Sequence, residues 1–233
     1  MSERERLARS FGSVAATYER ARPLYAADAL AWVAERLPLH GDVLDLGAGT
    51  GKLTRQLLDV AATVRAVEPD DAMRAVLERV VPSATVLAGS AEAIPLPEGS
   101  VDVVTAGQAF HWFDLDRALP EMQRVLRPGG GIALLWNELV WEELDALVRP
   151  LRPAPRDEGL PETPLFSIFE ERRFPHRDAV DADTVVERVA SISAVITAPA
   201  DVRDELLRNV RALVGDGVVE YPMRTLVLVA DRV

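Results

Sequence analysis

The sequence predicts an α/β fold built on a doubly wound, mostly parallel sheet. Three observations carry that expectation. Helical and short apolar segments alternate through the first 137 residues, as strand–crossover–strand units require. The apolar run 43–46 feeds directly into a turn with glycine at every second position, Gly47, Gly49 and Gly51. A second apolar run, 64–67, then ends in Glu68, about twenty residues beyond the loop, where a nucleotide-binding sheet places a carboxylate on ribose hydroxyls.

The elements follow in order. Residues 4–20 and 24–37 read as cap helices, the second broken by Pro38, His40 and Gly41. After the first strand, 51–60 continues as the first crossover helix. Residues 70–80 form the next helix, stopped by Pro82, and 85–88 the third strand. The fourth strand covers 101–106, a helix 115–126 and the fifth strand 132–136, with Pro128 and glycines 129–131 turning the chain between them. Beyond 137, prolines 150, 153, 155, 161, 164 and 175 predict a surface excursion rather than a helix. Helical patterns return at 181–192 and 199–214, and 224–230 is a strongly apolar last strand. Neither a repeat nor a second domain boundary interrupts the pattern. Residues 1–233 therefore read as one domain: an N-terminal helical part (1–40), a core with the glycine loop (41–137) and a C-terminal part (138–233) that completes the sheet.

Composition narrows the function. At 233 residues and 48% hydrophobic content, the chain can bury one large core without splitting. The N-terminus MSERERLARSF is charged and lacks an apolar signal core, and no apolar run approaches the roughly eighteen residues of a membrane span. A cytoplasmic location without a membrane partner is expected. The sequence has no cysteine, which excludes disulfides and thiol catalysis. With 26 Lys and Arg against 37 Asp and Glu, the net charge of -11 opposes a phosphate backbone, so nucleic acid is not an expected partner. Three scattered histidines and no obvious carboxylate pair predict no metal site.

The loop also departs from the dinucleotide fingerprint. GxGxxG seats a pyrophosphate at a helix N-terminus, whereas this chain reads Gly47, Ala48, Gly49, Thr50, Gly51, with Asp45 just before it. A carboxylate there repels a pyrophosphate and attracts an ammonium or sulfonium. A nucleoside with positive charge and no phosphate fits, and S-adenosylmethionine is such a molecule.

Four stretches in the same order carry a family likeness: VLDLGAGTG at 43–51, AVEPDDAM at 66–73, GSAEAIPLPEGSVDVVTAGQAFHWF at 89–113 and VLRPGGGIALLWN at 125–137. With the cap-like FGSVAATYERARPLY at 11–25, the chain resembles the class I S-adenosylmethionine-dependent methyltransferases, particularly the type-11-like small-molecule branch. The resemblance implies a Rossmann-like sheet of seven strands, the last inserted antiparallel beside the fifth, under an N-terminal helical cap. It implies in-line transfer of a methyl group to a small-molecule acceptor, by a monomer or homodimer.

The expected site joins both lines of reasoning. Gly47, Ala48, Gly49 and Gly51 give the cofactor close backbone approach. Asp45 faces the methionine ammonium, directly or through water, or else caps the following helix. Glu68 accepts the ribose hydroxyls, or is a solvated strand-end residue. Pro69, Met73 and Ile94 wall the adenine, unless Met73 and Ile94 are core. Family positions place Ser90 and the Ala91 backbone at the base edge, although many relatives carry aspartate where this chain has Ser90. The resemblance puts the Gln108 backbone near the methionine moiety, Arg22 on its carboxylate, and Tyr18 and His111 beside the transferred methyl.

His111 is a candidate general base or a loop-shaping residue. Tyr25, Trp112, Trp136 and Asn137 are candidates to line the acceptor pocket, with Trp112 and Phe113 equally suited to packing against the cap. Arg22 otherwise belongs to an exposed helix face, and Trp136 and Asn137 otherwise simply terminate the fifth strand. Two other classes share part of this pattern. A nicotinamide oxidoreductase would show GxGxxG spacing and no acid at Asp45, and a non-catalytic S-adenosylmethionine-binding scaffold would lack an acceptor pocket.

Overall fold

The computed structural model describes residues 15–152 and 163–233. The expected cap helix at 4–20 is therefore seen only as α1, Ala15–Ala21, and its earlier part lies outside the described residues, as do Pro153, Pro155 and Pro161. The second cap helix, α2, spans Ala27–Arg36.

Seven strands among the described residues form one sheet: β1 Asp42–Leu46, β2 Thr63–Glu68, β3 Thr85–Ala88, β4 Val101–Gly107, β5 Leu126–Leu139, β6 Glu170–Asp181 and β7 Val218–Asp231. Their order is β3-β2-β1-β4-β5-β7-β6. The first five pair in parallel, and β7 runs antiparallel to both β5 and β6, so β7 alone is reversed. This is the doubly wound sheet with an antiparallel insertion that the sequence led us to expect.

Between the strands lie α3 Lys52–Leu57, α4 Asp71–Val80 and α5 Leu115–Val125. The crossover helix α3 is shorter than the expected 51–60, because Gly51 stands at its N-cap with φ 89° and the chain turns at 58–60. Asp70 starts α4 by accepting the backbone N–H groups of Ala72 and Met73, both at 2.9 Å, which satisfies two orphan donors. The parallel strands are apolar along their length because both faces are covered. Leu30, Val33, Leu53 and Leu57 pack on one face; Leu119, Met122 and Val125 pack on the other.

Three local readings need correction. Pro128 and its glycines do not sit in a free turn: Leu126 pairs with Val101 and Gly131 with Val103, so 127–130 bulge out of a continuous β5. The proline-rich stretch is not wholly irregular, since α6, Glu142–Val148, precedes it and a 3-10 turn, Arg149–Leu151, takes up Pro150. Pro175 lies inside β6, which tolerates it as the outermost strand of the sheet. Helices α7 Ala182–Ala190, α8 Ser193–Ile196 and α9 Ala200–Val214 follow, and α6, α7 and α9 close a separate apolar cluster around Leu144, Val185, Val210 and Met223.

Candidate functional site

Parallel pairing brings the carboxyl ends of β1, β2, β4 and β5 to one edge, where an open sheet holds ligands. The loop after β1 is stitched to β2 by the Gly47 and Ala48 N–H groups, which donate to the Val67 carbonyl at 2.8 and 3.1 Å. All three loop glycines have positive φ, but only one offers open space. A Cβ on Gly47 would lie 2.6 Å from Ala109 Cβ, and one on Gly51 would lie 2.4 Å from Leu77 Cδ1. At those two positions a side chain would strike the protein itself, so glycine is needed there for packing. Gly49, at φ 58°, has nothing within 4 Å of its Cβ position.

Glu68 stands beside that opening. Its Oε2 accepts the Gly49 N–H and its Oε1 the Asp70 N–H, each at 2.9 Å. The side chain is nearly buried, and burial pushes its pKa up while the two backbone donors pull it down. Asp45 is fully buried beneath the loop. Its carboxylate accepts the Thr54 hydroxyl at 2.6 Å and lies 3.4 Å from the Thr105 hydroxyl, tying β1 to α3 and β4. Burial raises its pKa to about 7. The N-cap residue of α3 is Gly51, which has no side chain to close the helix, and Asp45 instead accepts from the Thr54 backbone in its first turn, so it also serves the helix N-terminus as the alternative reading expected.

A cavity of about 230 Å³ opens between α1, the segment after β4 and the C-terminal helices. It brings together seven of the expected site residues: Tyr18, Arg22, Tyr25, Gln108, His111, Trp112 and Asn137. Gln108 holds φ 56°, a left-handed conformation uncommon for a residue other than glycine. Its backbone N–H donates to Leu135 and its Nε2 to the Asn137 carbonyl, at 2.8 and 2.9 Å. Asn137 in turn donates to the Leu24 carbonyl and accepts the Thr225 hydroxyl, so it joins cap, β5 and β7. The Tyr25 hydroxyl lies over Gly107, where a Cβ would come within 2.4 Å of it. His111 is exposed at the rim, its ring 4.7 Å from that of Trp112.

Other expected residues lie elsewhere. Trp136 does not line the cavity; it meets Phe110 edge-on, ring centroids 6.4 Å apart, beside the core that holds Phe113 and Ile94. Met73 is buried against Ala15 and Val76, with Tyr18 packed on the same cluster. Pro69 is exposed next to Glu68, while Ala91 is buried and Ser90 half-buried, its hydroxyl bonding Glu92. Of the remaining histidines, His40 contacts the Val60 carbonyl and His176 sits in β6 against Thr225. No cluster of potential metal ligands occurs among the described residues.

Sequence reasoning missed Lys52, Arg152, Arg188 and Tyr221, which also line the cavity. Arg188 was detectable in principle. Ala182, Val185 and Val189 mark the buried stripe of α7, and Arg188 falls in it, where an arginine is anomalous. Lys52, Arg152 and Tyr221 carry no such local signal.

Comparison with known proteins agrees with this architecture. A family model described as a methyltransferase domain matches residues 44–134. An uncharacterised methyltransferase of Mycobacterium tuberculosis is 42% identical over 211 residues, covering 88% of this chain and 85% of that protein. A solved structure assigned as a type II methyltransferase from Anaeromyxobacter dehalogenans matches with TM-score 0.64 and 30% identity over 91% of this chain and 96% of that one. Phosphoethanolamine N-methyltransferase 2 of Haemonchus contortus, solved with S-adenosylhomocysteine, shares the fold at TM-score 0.54 and 16% identity, over 95% of this chain and 57% of that one. By its sheet order, its strand-end loop and the extent of this sequence identity, the chain belongs to the class I S-adenosylmethionine-dependent methyltransferases.

Proposed function

We propose that this chain binds S-adenosylmethionine across the Gly49 opening and transfers its methyl group to a small-molecule acceptor in the adjoining cavity. The observation that carries this reading is the Glu68 carboxylate, nearly buried yet set against the one loop glycine with free space around it. Each Glu68 oxygen accepts one backbone N–H and keeps a lone pair for a ribose hydroxyl. Arg22 fits the methionine carboxylate: it lines the cavity, and its buried Nε has no partner although its Nη2 donates to Ser191 at 2.8 Å. The Asp45 carboxylate supplies negative potential under the loop, suited to the ammonium group. Pro69, Met73, Ser90 and Ala91 stand along α4 and the segment after β3, where they suit the adenine.

When bound, S-adenosylmethionine supplies an electrophilic methyl group on a sulfonium. The work left to the protein is positional: Gln108, held in its left-handed conformation, and Tyr18, in the cap helix α1, align the groups and keep water out. His111 at the rim takes the acceptor's proton where the acceptor has one to lose. Tyr25, Trp112 and Asn137 line the acceptor's side. The cavity, about 230 Å³, has room for a small acceptor. We place the activity in the cytoplasm, in a monomer or homodimer without nucleic-acid or metal partners.

Titration calorimetry with S-adenosylhomocysteine and with NADH tests the reading. Binding of the first without the second is expected, and the reverse result would overturn it.

A further inference from the structure

Resting on the reading above, the geometry points to an anion subsite in the acceptor pocket: we propose that the acceptor is a small molecule carrying an oxyanion, held by Arg188 and Arg152 beside the Tyr221 hydroxyl.

The charge balance of the cavity opposes that of the chain. The protein carries a net charge of -11, yet Arg22, Lys52, Arg152 and Arg188 all line this one cavity, and no carboxylate is among the described residues lining it. Counter-charges come from behind. Asp178 accepts Arg188 Nη2 at 2.6 Å, Asp145 accepts Arg152 Nη1 at 2.6 Å, and Glu19 lies 3.7 Å from the Lys52 ammonium. Carboxylates placed behind the cations orient them without occupying the cavity.

Arg188 gives the sharpest sign. Its side chain is only 6% exposed, which for a guanidinium demands full hydrogen bonding. Nε donates to the Ala21 carbonyl at 2.8 Å and Nη2 to Asp178, and the guanidinium carbon lies 4.5 Å from the Tyr221 ring centroid. Nη1 is buried with no partner. Leaving a buried charged donor unsatisfied costs free energy, and of the four arginines with such a nitrogen among the described residues, Arg22, Arg55, Arg65 and Arg188, only Arg22 and Arg188 line the cavity. Arg188 lines the cavity while Nη1 itself is closed to solvent, so an acceptor oxyanion supplies the missing partner once the guanidinium turns that edge toward the cavity; such an edge recognises carboxylate and phosphate alike.

Tyr221 shows that the cations converge. Burial raises the pKa of its hydroxyl, while Arg188, Arg22 and Arg152 all pull it down. Three guanidinium groups thus act on one buried hydroxyl at the wall of the cavity. Arg22 is engaged by the methionine carboxylate in the reading above, which leaves Arg188 and Arg152 for the acceptor. The oxyanion serves as the handle by which the acceptor docks.

Calorimetry on protein saturated with S-adenosylhomocysteine tests this, with malonate, inorganic phosphate and neutral malonamide as probes at constant ionic strength. Malonate or phosphate should bind, malonamide should not, and the stronger of the two anions identifies the class of oxyanion. Arg152→Gln should weaken anion binding about tenfold or more, as expected for a lost charge-assisted bond, with affinity for S-adenosylhomocysteine kept within about threefold; Arg188→Gln should weaken anion binding at least as much, and because Arg188 also anchors the cap, cofactor affinity is read from the Arg152 variant. Arg152, whose side chain is 41% exposed, gives an informative variant even if Arg188→Gln fails to fold. Binding of S-adenosylhomocysteine with no anion binding, or anion binding indifferent to both substitutions, would overturn the subsite and leave the methyltransferase reading standing. Failure to bind S-adenosylhomocysteine at all would instead remove that reading.

Discussion

Arg22 and Arg188 each bond to the backbone beside the other. Arg188 Nε donates to the carbonyl of Ala21, one residue before Arg22, and Arg22 Nη2 donates to the carbonyl of Ser191, three residues after Arg188, both at 2.8 Å. The exchange satisfies carbonyls at the C-terminal ends of α1 and α7, which have no intrahelical partner, and it fastens the cap to the C-terminal part across the cavity. This anchorage fixes the C-terminal end of α1 against the C-terminal part. We expect amides of 15–21 to be protected from hydrogen exchange even without ligand, and Arg188→Ala to speed their exchange by about tenfold or more. Equal exchange in the variant would mean that packing on Met73 and Val76 suffices to hold α1.

Glu68 yields the most direct test of the cofactor site. Glu68→Ala should weaken S-adenosylhomocysteine binding by roughly 1.5 to 3 kcal/mol, the range for charge-assisted hydrogen bonds. Because Glu68 also holds the Gly49 and Asp70 N–H groups on separate oxygens, Glu68→Gln is the needed companion: its one amide oxygen keeps one of those bonds and the side chain keeps its shape, while the charge and the other bond are lost. Unchanged affinity in both variants by calorimetry would remove Glu68 from the site.

The loop glycines should separate folding from binding. Gly51→Ala forces a Cβ into Leu77 and Val81 at a position with φ 89°, so the melting temperature should fall by several degrees, reflecting both strain and overpacking. Gly49→Ala meets no atom within 4 Å and incurs only the cost of its positive φ, about 1 kcal/mol. Its main effect should be on cofactor affinity. If Gly49→Ala binds S-adenosylhomocysteine as tightly as the parent, the loop does not touch the cofactor there.

How far the site could be read from sequence depended on whether its signal was local. The strand–loop–acid spacing from Val43 to Glu68 is set by one crossover, so periodicity and glycine placement were enough to order the first five strands. β6 escaped notice because Glu170 to Arg173 are charged and Pro175 interrupts them, a composition suited only to the edge where the strand lies. Arg152 and Tyr221 reach the cavity through tertiary packing of α6, α7 and β7, which no short window encodes. Trp136 misled for the opposite reason: it stands at the expected strand end, but strand alternation turns it onto Phe110 while Asn137 faces the cavity.

His111 distinguishes proton transfer from positioning. His111→Gln should leave S-adenosylhomocysteine affinity within about threefold and, for an acceptor that must lose a proton, lower turnover by roughly 10² to 10⁴. The pH profile of turnover should lose its limb near the histidine range. Turnover that survives the substitution would make the acceptor's nucleophile one that is already deprotonated, such as a carboxylate, and His111 a rim residue.

Asp45 ties stability and binding to pH. Its folded pKa, raised to about 7 by burial, lies above the ordinary aspartate value of 3.8, so the folded state holds the proton more tightly than the unfolded chain. The stability this provides is complete below the unfolded pKa, is lost as pH rises from about 4 through 7, and then levels off, for a total of a few kcal/mol. Asp45→Asn keeps a polar partner for Thr54 and Thr105 without the charge, so its melting temperature should exceed the parent's above pH 7 and vary less between pH 4 and 7.

The ligand should act in the opposite direction. An ammonium placed over the loop favours the ionised carboxylate, so binding S-adenosylhomocysteine near pH 6.5 should expel a fraction of a proton, and the calorimetric enthalpy should then vary with the ionisation enthalpy of the buffer. The same measurement on Asp45→Asn should show no buffer dependence and weaker binding. A buffer-independent enthalpy in the parent protein would mean that Asp45 does not sense the ligand's charge, leaving it the structural role its bonds to Thr54 and Thr105 already describe.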